Sequence, residues 1–217
     1  HKKVELNLAK RYPLHTVYGG AHLFKADLSK KFGEIALASL DRNAGTVEGW
    51  RDALGLGRAP LPDAAKRSEL DRGDFKAEYF QSIDAIFYLA WMRMRTKLAR
   101  EAVEDFRIDF EDGFGQRSIE EEDKVALSSA AELTQAISQV SAPASVGIRI
   151  RALSGNTAAR AIRTLDLFLT ELSVKGQGFP RQFCVSLPKV RSALEAQHLH
   201  ELLNQLETRL KIPSGTV

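Results

Sequence analysis

The sequence predicts an α/β fold built on a parallel sheet, and three observations lead there. Short segments that alternate apolar and polar residues are each followed by a longer stretch of helical period. Their order is βα, helical insertion, βα, βα, βα, which calls for crossover connections and not hairpins. The 217 residues hold four such units, too few for a closed eight-stranded barrel, which takes about 250 residues.

His15-Thr-Val-Tyr18 follows a proline and precedes Gly19-Gly20, so it reads as a short strand ending in a tight turn. Asp27 to Leu40 reads as a helix with Phe32, Ile35, Ala36 and Leu40 on one face. Arg42 to Asp63 is irregular, broken by Gly55-Leu-Gly57 and Pro60-Leu-Pro62, and admits a short helix at Thr46 to Leu54. A long helix is expected from about Asp74 to Arg100. Phe80, Ile83, Ile86, Phe87, Ala90, Trp91 and Met94 recur along it at helical spacing and read as a core stripe.

The second strand is Phe106 to Phe110, followed by a glycine-containing turn. Ser118-Ile-Glu-Glu121 fits a capping box that opens a helix to about Val140, and the acids Glu120 to Asp123 suit its positive end. A third strand, Val146 to Ile150, leads to a helix from Thr157 to Leu172 whose buried face is Ala161, Ile162, Leu165, Phe168, Leu169 and Leu172. Phe183 to Leu187 is the fourth strand, and Ser192-Ala-Leu-Glu195 starts the last helix with another capping box. Leu210 to Val217 reads as a turn towards a further element, so the chain is expected to be truncated, or to pair as a homo-oligomer that covers its open edges.

Composition narrows the function classes. Hydrophobic residues at 44% and charged residues at 27% are ordinary for a soluble globular protein. The net charge of +3 is small, and no Lys/Arg block is interleaved with aromatics, which argues against nucleic acid as a partner. The most apolar stretch, Ile83 to Met94, contains Asp84 and Arg93 and is too short to span a membrane. No signal-peptide pattern is present, and the lone Cys184 fits a reducing cytoplasm and a buried, inert thiol. The chain begins at His1 and not at Met, so a missing or replaced N-terminus is expected.

The chemistry concentrates at strand ends. In Phe106-Arg-Ile-Asp-Phe-Glu-Asp-Gly113, Phe106, Ile108 and Phe110 share one strand face, while Arg107, Asp109 and Glu111 share the other. Val146-Gly-Ile-Arg-Ile-Arg151 repeats this, with Arg149 and Arg151 opposite Val146, Ile148 and Ile150. Parallel α/β folds place ligands at the carboxyl ends of their strands. There this chain carries Glu111 and Asp112, Arg149 and Arg151, and Lys189 after Leu187-Pro188. Arginine suits a planar carboxylate or an enolate, carboxylates can hold metal-bound waters or exchange protons, and Gly113 lets the backbone turn sharply or approach a ligand. The same charges also fit a self-satisfied ion network of Arg107, Asp109, Glu111 and Arg149.

Asp109-Phe-Glu-Asp-Gly113 resembles the second-strand acidic motif of the superfamily of the citrate lyase beta subunit and the HpcH/HpaI aldolases. Ile148-Arg-Ile-Arg151 is similar to its third-strand motif, and Leu187-Pro-Lys-Val190 to its fourth-strand motif, in the same order and spacing. The stretch Arg95 to Asp123 and the segment His15-Thr-Val-Tyr18 are similar to an uncharacterised bacterial branch of it. The resemblance covers residues 13 to 217, with 1 to 12 as an N-terminal extension and about 42 to 100 as a helical insertion.

The resemblance implies a pyruvate- and phosphoenolpyruvate-type (β/α)8 TIM barrel, of which this chain holds the N-terminal half. It implies a lyase or aldolase that makes or breaks a C–C bond beside a carbonyl, through an enolate held on Mg²⁺ or Mn²⁺. Arg149 would stabilise the enolate or ketoacid oxygens, Glu111 and Asp112 would lie near the metal and its waters, and Arg149, Arg151, Lys189 and Gly113 would contact a small carboxylate substrate. Arg151 stands where the family motif has Asn, which implies a different or more anionic substrate. The family's metal ligands, a Glu after strand 5 and an Asp after strand 6, would lie beyond residue 217, so none is assigned here.

Two other readings stay open: phosphoryl transfer involving phosphoenolpyruvate on the same scaffold, and a non-catalytic barrel that binds a carboxylate or a protein partner. His198 and His200 stand two apart on a helix and do not make a metal pair. His15 and His22 read as plain loop or strand-end histidines, although His22 could face the mouth of the site.

Overall fold

The computed structural model describes residues 12–217 apart from Gln177 and Arg181. Of the extension expected at residues 1 to 12, only Tyr12 falls within that range. The strands are β1 (Val17–Gly20), β2 (Asp105–Asp109), β3 (Ser145–Arg149) and β4 (Phe183–Ser186). They form one sheet in the order β1-β2-β3-β4, with every pair parallel. The helices are α1 (Leu28–Ala44), α2 (Val47–Ala53), α3 (Ala64–Arg72), α4 (Ile83–Glu101), α5 (Ile119–Ser138), α6 (Ala158–Lys175) and α7 (Ala193–Leu210).

The chain divides into two compact units, one of His1–Ser29 with Val103–Val217 and one of Lys30–Ala102. In the first, the alternation read from the sequence sorts the sheet faces. Phe106, Ile108 and Phe110 of β2 and its end, with Val146, Ile148 and Ile150 of β3, are buried almost completely in one core with Ala130, Leu133, Leu165, Phe168 and Leu172 of α5 and α6. Phe110 meets Phe168 edge-on at 6.4 Å between ring centroids. Apolar area removed from water at about 25 cal/mol per Å² makes this layer the main stabiliser of the sheet.

The other face carries the polar side chains, because the strand period is two. The register aligns Gly20 with Asp109, Asp109 with Arg149, and Arg149 with Ser186, so four strand ends finish on one line. Cys184 lies on this face beside Gly147 and is half-buried, not sealed in the core as the sequence suggested.

Helix α5 starts as its capping box requires, with Ser118 Oγ accepting from the Glu121 amide at 3.1 Å. The box expected at α7 does not form. Ser192 makes no side-chain cap, and the Glu195 carboxylate accepts from the Arg191 amide at 3.1 Å.

The second unit differs more from expectation. The long helix begins at Ile83, not Asp74, because Ser82 is extended and Ala77–Gln81 forms a separate 3-10 turn. Its core stripe is also displaced. Phe80, Ile83 and Ile86 are exposed, Phe87 and Trp91 of the expected stripe pack partly buried against the core, and the buried residues of α4 are Ala85, Tyr88 and Leu89, together with Val47, Leu70 and Tyr79. Tyr88 can be buried because its hydroxyl donates to Asp71 at 2.9 Å. In α1 the expected face of Phe32 and Ile35 is exposed as well. Gly33 is buried there because the Leu98 carbonyl oxygen passes 2.4 Å from where a Cβ would sit. Helix α3 fills the gap left without an element between Asp63 and Asp74, and is capped by Asp63, which accepts from the Lys66 amide at 2.9 Å, and ended by Gly73 at φ 81°. Among the described residues, no helix is long and apolar enough to cross a membrane.

Candidate functional site

The site lies at the carboxyl ends of β2, β3 and β4, and its centre is Asp109. Extended geometry at the end of β2 sends this carboxylate to the polar face, directly beside Arg149 in the register. Arg149 donates from Nε to Oδ1 at 2.7 Å and from Nη2 to Oδ2 at 2.5 Å, a fork-on-fork pair. The same two oxygens accept the amides of Glu111 at 2.8 Å and Gly113 at 2.7 Å. The chain therefore wraps around Asp109, whose side chain is 1% exposed. Burial alone pushes the Asp109 carboxyl up, but the Arg149 fork and the two amides outweigh it and hold the group below its ordinary value. Asp109 in turn raises the Arg149 guanidinium above its own.

Gly113 serves this wrapping. A Cβ there would stand 2.6 Å from Asp109 Oδ2 and 3.3 Å from the Gly20 nitrogen. The close backbone approach expected of this glycine is thus made to Asp109 and to β1.

Arg149 keeps Nη1 outside the fork, 4.0 Å from Glu111 Oε2, and its Nη2 lies 3.9 Å from Asp112. The Tyr18 ring of β1 lies under the guanidinium at 4.7 Å, a cation–π contact absent from the sequence reading. Lys189, after β4, bridges the acid pair by donating to Glu111 Oε1 and, at 3.0 Å, to Asp112 Oδ1. Glu111 and then Asp112 raise the Lys189 ammonium, while Lys189, followed by Glu111, holds the Asp112 carboxyl down. Lys189 adopts φ 52°, left-handed backbone that a non-glycine residue enters at a cost of about 1–2 kcal/mol. Glu111 Oε2 is buried with no hydrogen-bond partner among the described residues, a costly state for a carboxylate oxygen.

The structure brings Arg149, Glu111, Asp112, Lys189 and Gly113 together and gives Arg151 a different setting. Arg151 Nε lies 3.2 and 3.1 Å from the two Glu122 oxygens, and its Nη2 donates to the Gly115 carbonyl at 2.9 Å. Glu122 also accepts from Arg160 and, at 2.8 Å, from Thr164 Oγ1. The network read from the sequence splits too, since Arg107 pairs with Asp105 and not with Asp109. Glu122 and Tyr18 were not singled out from the sequence. Glu122 carried a signal: it stands four residues before buried Ala126, on the core face of α5, where a carboxylate requires a buried cation.

A cavity of about 460 Å³ opens at these strand ends, and Glu111, Asp112, Arg151, Asn156, Lys189 and Arg191 are among its lining residues. Among the described residues, no group of three or more His, Cys, Asp or Glu side chains is placed to hold a metal ion. Asp109 has both oxygens committed, so Glu111 and Asp112 are the carboxylates left to meet one. Mg²⁺ is commonly held by one or two carboxylates with several waters. This pair, with its orphaned Oε2, fits the edge of such a shell and does not complete it. His22 lies against Phe114 at 5.6 Å with Nδ1 buried and unpartnered, while exposed His200 sits 3.1 Å from Asn204.

A family model described as a domain of unknown function (DUF6986) matches residues 6–217. The chain belongs to the DUF6986 family. No curated protein and no solved structure matches it. In this DUF6986 member the residues of the site come from segments 18–20, 109–113, 149–151 and 189–191, all inside the matched range.

Proposed function

We propose that this chain forms the N-terminal half of a TIM-barrel site for a divalent-metal-dependent carbon–carbon lyase or aldolase. It would act through an enolate of a small 2-oxo acid or an acyl thioester. The observation that carries the reading is Arg149: its guanidinium is immobilised by a buried carboxylate at a strand end, with Nη1 left over beside the Glu111–Asp112 pair.

A donor fixed before the substrate arrives stabilises developing negative charge without reorganising, an effect worth about 3–4 kcal/mol per donor. Arg149 Nη1 is the donor suited to the enolate oxygen or the adjacent carboxylate. Lys189 lowers the Asp112 carboxyl below its ordinary value and holds Glu111 in place from the other side.

Charge supports a metal partner. Asp109, Glu111 and Asp112 carry three negative charges against the two positive charges of Arg149 and Lys189. A cation would offset this local excess of negative charge around Arg149 when a carboxylate substrate binds. Mg²⁺ or Mn²⁺ would supply Lewis-acid stabilisation of the enolate when bound. Glu111 and Asp112 would hold its waters, and the resemblance places its direct ligands on strands 5 and 6, which are not among these residues.

The test is Mg²⁺-dependent cleavage of oxaloacetate and 4-hydroxy-2-oxo acids by the full-length protein, with pyruvate binding measured beside it. Turnover that vanishes with chelator, together with weakened pyruvate binding in Arg149→Ala, is the expected result. No turnover, with pyruvate binding unchanged in that variant, would overturn the proposal.

A further inference from the structure

Between Arg149 and Glu111 one hydrogen bond is left unmade. Arg149 Nη1 lies outside the fork to Asp109, and Glu111 Oε2 is buried with no hydrogen-bond partner among the described residues. The two groups carry opposite charge and stand 4.0 Å apart. A hydrogen bond would bring them to about 3 Å, and in a partly closed site the attraction favours that approach. Some contact therefore holds the donor back.

The Asp109 fork does not do so alone. Its two hydrogen bonds fix the Nε–Nη2 edge of the guanidinium, and a plane held by one edge still tilts about that edge. Nη1 is the nitrogen farthest from it and swings the most. Glu111 has less freedom, because Lys189 holds its Oε1. The remaining contact on the guanidinium is the Tyr18 ring, whose centroid lies 4.7 Å from Arg149 Cζ.

Tyr18 reaches that position through the strand period. Val17 packs against the core, and a Cβ at Gly19 would stand 2.6 Å from the Phe106 ring, so Tyr18 between them faces the polar side. In the register it pairs with Arg107, one polar-face step before Gly20 and Asp109. Its hydroxyl makes no hydrogen bond among the described residues, and the residue is 49% exposed. Neither core packing nor a hydrogen bond accounts for a tyrosine here. The ring under Arg149 does.

We infer that Tyr18 is a positioning residue: its ring holds the Arg149 guanidinium flat, keeping Nη1 off Glu111 Oε2 and free for a substrate oxygen. This role rests on the reading of Arg149 as the anion donor of a 2-oxo-acid site, and adds the residue that stops that donor from closing on its neighbour. The attraction of a cation to an aromatic face is sufficient for it. The hydroxyl takes no part.

Two measurements on the full-length protein test this, with Tyr18→Phe, Tyr18→Leu and Tyr18→Met. The first is calorimetric titration with pyruvate in Mg²⁺ buffer. Tyr18→Phe should bind as the wild type does, while the two aliphatic variants should bind about tenfold more weakly. Their urea midpoints should all stay close to the wild type, as expected of a half-exposed side chain. The second is the crystal structure of an aliphatic variant, in which Arg149 Nη1 should close to hydrogen-bond distance of Glu111 Oε2.

If Tyr18→Phe binds as weakly as Tyr18→Leu, the hydroxyl is the active part and the inference is overturned. Normal pyruvate binding in both aliphatic variants, or an Arg149 that keeps its place in the crystal, overturns it too. Failure of the lyase reading looks different. Pyruvate binding that follows this order of variants without any turnover leaves Tyr18 in its role and removes the reaction. If the wild type binds no pyruvate, the lyase reading falls, and the place of Arg149 in the variant crystal alone decides for or against Tyr18.

Discussion

Arg149 and Asp109 are direct partners in the β2–β3 register, and they are also each other's strongest side-chain contact, through two hydrogen bonds of 2.7 and 2.5 Å. The pair thus joins the same two strands twice, once through backbone and once through charge. Removing Arg149 leaves the buried Asp109 carboxylate without its cation, and removing Asp109 takes the fork from the guanidinium and leaves it only Glu111 and Asp112, at 4.0 and 3.9 Å. Asp109→Ala should cost about 3–5 kcal/mol, read as a lowered urea midpoint. A loss below about 1 kcal/mol would mean that water replaces the carboxylate.

The same pair sets an acid limit. The folded-state Asp109 carboxyl lies below its ordinary value of 3.8, so its contribution is fully present above that value and is lost as pH falls through the lower, folded one. Urea unfolding between pH 7 and pH 2.5 should show a steep loss only at the acid end. Asp109→Asn should flatten that limb while leaving the curve above pH 5 parallel to the wild type.

Glu122 should behave as a structural residue. Glu122→Gln leaves Arg151 and Arg160 side by side without a balancing charge, at a cost of about 3–5 kcal/mol. Arg163→Ala removes a surface pair with Asp123, in which the arginine is 57% exposed, and should cost less than about 1 kcal/mol. Chemical denaturation of both variants checks the contrast, which would fail if the two losses were equal.

Lys189 offers the opposite separation. Asn tolerates left-handed backbone, so Lys189→Asn keeps the turn at φ 52°. Its stability should stay within about 0.5 kcal/mol of the wild type. Metal-dependent turnover should fall about 100-fold, the scale of losing one electrostatic donor. Unfolding and kinetic assays on the same preparation decide this, and unchanged turnover would remove Lys189 from the site.

Much of the first unit was legible because strand alternation is a hard rule. Asp109 and Arg149 could be assigned to one face from period alone, yet their pairing required a register that residue types do not encode. The Arg151–Glu122 bond was missed for a related reason. Glu122 looks like one acid in a run of helix-start acids, and only its alignment with Ala126 and Ser129 on the core face gives it away. The second unit was read least well because α4 is apolar on more than one side. Spacing then favoured Ile83 and Ile86, whereas the side that is buried carries Tyr88, with Asp71 to receive its hydroxyl. Helix α3 was hidden by the prolines before Asp63, which mark a helix start as readily as a loop.

The in-line register of the strand ends has one more consequence. Side chains alternate sides at every residue, so sliding β3 by a single position against β2 would turn Arg149 into the oily layer and bring Ile148 or Ile150 to the rim. Assembly and competence are therefore one event. A misthreaded sheet cannot persist as a well-packed but idle impostor, because the error that disarms the arginine also breaks the core. The charged rim acts as a built-in proofreader of strand alignment.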